Sequence, residues 1–200
     1  MGSGSNSAQR EAQRAEAERQ RRIAATTGQI NAAYDAPGRQ SQYDDFLKAV
    51  RQNYTDDATR QKRDVDRSQK FSLARSGLTG GSAAVDARRA SGEEFQRGIL
   101  QAEDRAQSAL GDLKASDEQS RLQLIQMAQS GLDATTAAAR ANAAISAGAQ
   151  SALGDAKAKG LGDIFGSTIK TIGAQQEAAA QRRGQVSAVG SLYGNQTWGR

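Results

Sequence analysis

Gln42–Tyr54 reads QYDDFLKAVRQNY. Its apolar members Tyr43, Phe46, Leu47, Val50 and Tyr54 recur three, four and seven residues apart, which places them on one face of an α-helix. Apart from Ala49 the remaining positions are charged or polar, and no strand-like alternation competes with the helical period. The spacing predicts an amphipathic helix over about Arg39–Arg75, extended less regularly by Val65 and Phe71, with Tyr43, Phe46, Leu47, Val50 and Tyr54 as its packing surface.

Upstream, Ala8 to Tyr34 mixes Ala, Gln, Glu and Arg, which are strong helix formers, with a thin stripe of Ile23, Ile30 and Tyr34. Ala36-Pro37-Gly38 predicts a bend, because proline lacks an amide donor and glycine admits positive φ. Downstream, Ser76-Gly77-Leu78-Thr79-Gly80-Gly81-Ser82 predicts a tight connector built on Gly77, Gly80 and Gly81, with Ser82 capping a third helix. That helix is expected to bury Val85, Phe95, Ile99, Leu110 and Leu113. Arg39–Arg75 carries an excess of bases and Ser76–Asp133 an excess of acids, so the two helices are expected to pair antiparallel across the glycine turn.

The C-terminal half changes character. Asp133 to Gln150 is mostly alanine, and glycines then recur among Leu161, Ile164, Phe165, Ile169 and Ile172. Small residues favour close helix approach, so a glycine/alanine helix from about Ala134 to Ala174 is the expected channel or membrane part, with those five residues as its apolar contacts. The organisation expected is an N-terminal charged helix and bend over 1–38, an antiparallel hairpin over 39–133, an Ala/Gly-rich helical segment over 134–183 and a flexible tail over 184–200.

The 200 residues contain no cysteine, no histidine and one proline. Histidine- or cysteine-based nucleophilic machinery and Cys/His zinc sites therefore lack their side chains. The acids Asp44-Asp45, Asp56-Asp57 and Asp64/Asp66 neighbour bases and lack calcium-loop spacing, which reads as solvated ion pairing. No nucleotide-binding glycine motif stands in the required context. The expectation is a non-enzymatic chain without cofactor or metal. Leu, Ile, Val and Phe make up about 15% of the residues, below the roughly 20% at which a chain stops resembling one with its own core. The fold class expected is all-α, an elongated helical hairpin with long Ala/Gln-rich helices, completed by oligomerisation.

The formal charge is +5, and Arg60, Lys62, Arg63, Arg67 and Lys70 form a local basic excess suited to phosphate contact or to a solvated helix face. The N-terminal residues show no secretion or lipidation signal, and no run of about 18 apolar residues marks a transmembrane helix.

KFSLARSGLTGGSAAVD at Lys70–Asp86, reinforced by QYDDFLKAVRQNY and by the Ala/Gln/Gly-rich helices downstream, resembles the small internal virion proteins, or ejection proteins, of short-tailed bacteriophages. The resemblance implies a protein packed in the virion, in the capsid interior or at the portal or tail, that leaves through the tail. It further implies a homo-oligomeric conduit for the genome at the host envelope. The implied partners are other ejection proteins, portal or tail proteins, the host outer membrane and phage DNA. Two alternatives stay open: a portal- or tail-associated structural protein that never enters a membrane, and a basic helical nucleic-acid-binding protein.

Overall fold

The computed structural model of the chain describes residues 4–77 and 79–166, together with Lys170, Ala174 and Gln181. The fold is all-α, as its periodicity predicts: α1 (Gly4–Tyr34), α2 (Pro37–Ser76), α3 (Ser82–Gln129) and α4 (Ala134–Lys159), with no strand among the described residues. Ile169, Ile172 and the expected tail over 184–200 lie outside the described residues.

Each helix end has a local cause. Pro37 opens α2 at a position whose missing amide donor is no loss, and Ala36 O accepts the Arg39 amide at 2.8 Å. Gly77, at φ +73°, ends α2 in the left-handed region. Gly80 and Gly81 do not share that conformation. Gly81 instead stands at the cap of α3 in place of Ser82, because its carbonyl accepts the amides of Ala84 and Val85 at 3.1 and 3.2 Å.

Between α3 and α4, Gly131 at φ +111° lets the Leu132 amide reach back to Met127 O at 3.0 Å, a Schellman closure. Asp133 then caps α4, accepting the Thr136 amide at 2.9 Å and the Thr135 hydroxyl at 2.6 Å. The Thr135 bond and then the Thr136 amide hold its carboxyl well below the ordinary value.

The Ala/Gly segment departs from expectation. Instead of running to Ala174, α4 stops at Lys159, because Gly160 and Gly162 adopt φ +54° and +75°. A glycine in that region terminates a helix at no steric cost.

Contacts group the chain into two units, Met1–Gln52 with Arg105–Lys159, and Asn53–Asp104 with Gly160–Arg200. In the first, Ile30 and Tyr34 of α1, Leu124 and Ala128 of α3, and Ala137, Ala141 and Ile145 of α4 close a core, with Leu132 packed against it. In the second, α2 and α3 pair antiparallel: Gln69 Nε2 donates to Ala87 O at 3.3 Å, Ser91 Oγ to Asp66 Oδ1 at 3.1 Å, and Lys62 lies 6.0 Å from the Phe95 ring centre.

Seven buried residues of α3 recur at a step of eleven. Ser91, Ala102, Leu113 and Leu124 form one row, and Ala106, Asp117 and Ala128 a second. The same step links Tyr54 to Val65 and Ala58 to Gln69 in α2, and Ile145 to Ala156 in α4. Eleven residues in three turns is about 3.67 per turn, so such a stripe stays on one side of a nearly straight helix. Val85 is the exception to the expected buried side. The stripe passes through Ala84, 2% exposed, and the next residue is turned about a quarter of the way round the helix, leaving Val85 63% exposed.

Many stripe positions hold Ala or Ser, which bury little area but admit close backbone approach. Ala102→Leu is therefore expected to lower stability by about 1–3 kcal/mol through overpacking, read as a reduced urea midpoint. Val85→Leu is expected to change it by less than about 0.5 kcal/mol.

Candidate functional site

Within the first unit a polar cluster sits inside the stripe. Arg39 of α2 donates from Nη2 to Asp117 Oδ2 of α3, and the Tyr43 hydroxyl donates to the same oxygen. The Arg39 and Asp117 side chains are 4% and 6% exposed. Arg39 Nη1 also donates to Gln42 Oε1 at 2.7 Å. The Arg39 guanidinium lies 4.4 Å from the Tyr43 ring centre and Lys114 Nζ 5.2 Å from it, so two cations lie within cation–π reach of one ring.

Burial opposes the Arg39 charge, but the bonds with Asp117 and Tyr43 outweigh it and keep the guanidinium protonated. Burial pushes the Tyr43 and Tyr34 hydroxyls up, and the bond to Asp117 (Tyr43) or its charge (Tyr34) adds to the effect. Neither tyrosine supplies a phenolate near neutral pH. The Tyr34 hydroxyl is buried, and Ser120 approaches it without hydrogen-bond geometry. This arrangement suits a clamp that fixes which residues of α2 and α3 meet, since a buried ion pair contributes more to register than to net stability.

The second unit holds a clasp. The Leu161 amide donates to Asp57 Oδ2 at 3.0 Å, the Ile164 amide donates to Gln61 Oε1 at 3.1 Å, and Gln61 Nε2 donates to Gly162 O at 2.6 Å. One glutamine amide thus satisfies a backbone donor and a backbone acceptor of the same loop. Leu161 and Phe165 are 1% and 0% exposed. Gly98 of α3 admits Ile164, whose Cδ1 occupies the space that a Cβ there would need.

The expected channel residues Leu161, Ile164 and Phe165 are therefore folded into this unit, two of them fully and Ile164 partly buried. No helix among the described residues is long and apolar enough to cross a membrane. Of the expected packing residues, Phe46, Val50, Tyr54, Leu110 and Leu113 are buried, while Tyr43, Leu47, Phe95 and Ile99 are partly buried.

The basic group is divided. Arg60 pairs with Asp57 at 3.3 Å and Lys62 with Asp66 at 2.8 Å, while Arg63, Arg67 and Lys70 are exposed. Lys62 and Lys70 line one cavity with Arg88. Among the described residues no cluster of three or more carboxylates is placed to hold a metal ion.

No family model, curated protein or solved structure matches the chain.

Apolar spacing in the sequence points to none of Arg39, Asp117 and Gln61, and Asp57 reads there only as a solvated ion-pairing acid, whereas the structure sets Asp57 on the Leu161 amide. The signal for Asp117 was its phase: it stands eleven residues from both Ala106 and Ala128, a seam position holding a carboxylate. Arg39 has the same relation to Val50. Asp57 and Gln61 carried no such signal, since their partners lie more than a hundred residues along the chain.

Asp117→Ala is expected to destabilise the chain by about 3–5 kcal/mol, because Arg39 is left buried and uncompensated. Arg39→Met/Asp117→Leu together is expected to recover most of that loss, measured as urea midpoints of the single and double variants.

Proposed function

We propose that this chain is a non-enzymatic internal virion protein of a short-tailed bacteriophage that leaves the capsid and assembles with further copies into a helical conduit at the host envelope for genome delivery. The observation that carries the reading is the stretch Lys70–Asp86, whose likeness to ejection proteins falls on the end of α2, the Gly77 turn and the start of α3.

The packing is consistent with assembly. The stripes of α3 and α4 hold mostly small residues, while Leu100 and Leu122 are 66% and 53% exposed. Burying those leucines against further copies would contribute apolar area that the chain's own stripes do not provide. A protein stabilised in this way can pass a narrow tube as a loosely held chain and regain its helices by mass action at its destination.

A second reading is favoured by the clasp. With Leu161 and Phe165 buried, the segment expected to enter a membrane has its apolar side chains engaged within the chain. That arrangement suits a portal- or tail-associated component that assembles without inserting.

The test is the mass of the purified full chain in solution and with dye-loaded vesicles of outer-membrane composition. The conduit reading predicts a closed oligomer and dye release. An oligomer without release supports the portal or tail reading, and a stable monomer without release overturns the conduit.

A further inference from the structure

In the second unit, the end of α2, the glycine turn and the first turns of α3 enclose a cavity of about 500 Å³. Lys62 and Lys70 reach it from α2, Arg88 from α3 and Thr79 from the turn, with Leu73 as an apolar wall. Asp66 also lines it, but its charge is engaged. Lys62 Nζ donates to both of its oxygens at 3.0 and 2.8 Å, and Ser91 donates to Oδ1 at 3.1 Å. Lys70 and Arg88 make no ion pair or hydrogen bond among the described residues, so two uncompensated cations from different helices line one cavity beside a hydroxyl. A guanidinium, an ammonium and a hydroxyl are the donors that phosphate oxygens take.

The row continues outside. Arg63 and Arg67, exposed and likewise without a partner among the described residues, stand four and three residues apart in sequence with Lys70. At about 1.5 Å of rise per residue they extend the positive charge roughly 10 Å along one side of α2. Next to Lys70 stands Phe71, an aromatic ring left 63% exposed. A line of cations follows a linear polyanion, and an exposed aromatic ring beside it offers a surface on which an unpaired base stacks. Duplex DNA keeps its base faces stacked inside and offers this ring nothing, whereas a single strand offers both phosphate and base.

We infer that the α2–α3 end of the second unit binds single-stranded nucleic acid, with a backbone phosphate held by Lys70, Arg88 and Thr79, neighbouring phosphates along Arg63 and Arg67, and a base stacked on Phe71. The inference does not depend on the virion reading, and oligonucleotide binding is scored separately from oligomer mass and dye release.

The experiment is fluorescence anisotropy of labelled oligodeoxythymidine with the full chain, beside Lys70→Glu/Arg88→Glu and Phe71→Ala. All three positions are exposed, and retention of helix is checked by circular dichroism. The expected result is affinity that falls about tenfold or more between 50 and 200 mM salt. The charge-reversal variant is expected to lose about tenfold or more, and Phe71→Ala about fivefold or more. Equal binding by wild type and the charge-reversal variant overturns the site. Preference for a duplex of the same length overturns the single-strand assignment. So does binding to anionic phospholipid vesicles with no binding to the oligonucleotide.

Discussion

The buried face of α3 depends on side-chain size at positions that recur every eleven residues. Ser91, Ala102 and Ala106 are 0–1% exposed, and at such positions a larger side chain would hold the helix backbones apart. Small residues contribute little transfer free energy, so the stripe works through close approach and the dispersion contacts that follow from it. An eleven-residue step also keeps the stripe in phase over long helices, where a strict seven-residue step would impose supercoiling. The length of α2 and α3, 40 and 48 residues, makes that phase relation consequential.

Polar groups inside the stripes then select among alternatives that the small residues permit. A seam of alanine and serine tolerates sliding, since one small side chain resembles the next. The Arg39–Asp117–Tyr43 cluster in the first unit does not tolerate it, because moving either helix by a turn would strand a buried charge. Gln69 and Ser91 act similarly in the second unit through their bonds to Ala87 O and Asp66. The Asp57–Gln61 clasp extends the same principle to a loop, whose backbone groups would otherwise be desolvated without partners around Leu161 and Phe165. If the chain serves as an ejected assembly part, such polar pins offer a way to recover one register after passage through a tube.

Much of the architecture was legible in the sequence where backbone chemistry is unambiguous. Pro37 marks the start of α2, where its missing donor is no loss, and Gly77 marks its end, where a left-handed conformation is needed. Tyr43 to Tyr54 announced its helix by spacing alone. The end of α4 is less legible, since Gly148 and Gly154 stand inside the helix, and of these glycines only the closely spaced pair Gly160 and Gly162 adopts positive φ. The clamp is hidden from apolar periodicity because Arg39 and Asp117 are charged residues in an apolar phase. Val85 shows the converse: its hydrophobicity points inward, but phase gives the buried position to Ala84.

Within the second unit, α2 and α3 of a single chain pair antiparallel in the register set by Asp66 and Ser91. The chain lacks cysteine, so Asp66→Cys/Ser91→Cys introduces the only two thiols, and mild oxidation followed by non-reducing electrophoresis and peptide mapping reports their pairing. That register is expected to give a disulfide within one chain, closing the loop through the Gly77 turn. Disulfides formed only between chains, or none while the helices remain folded, would contradict it.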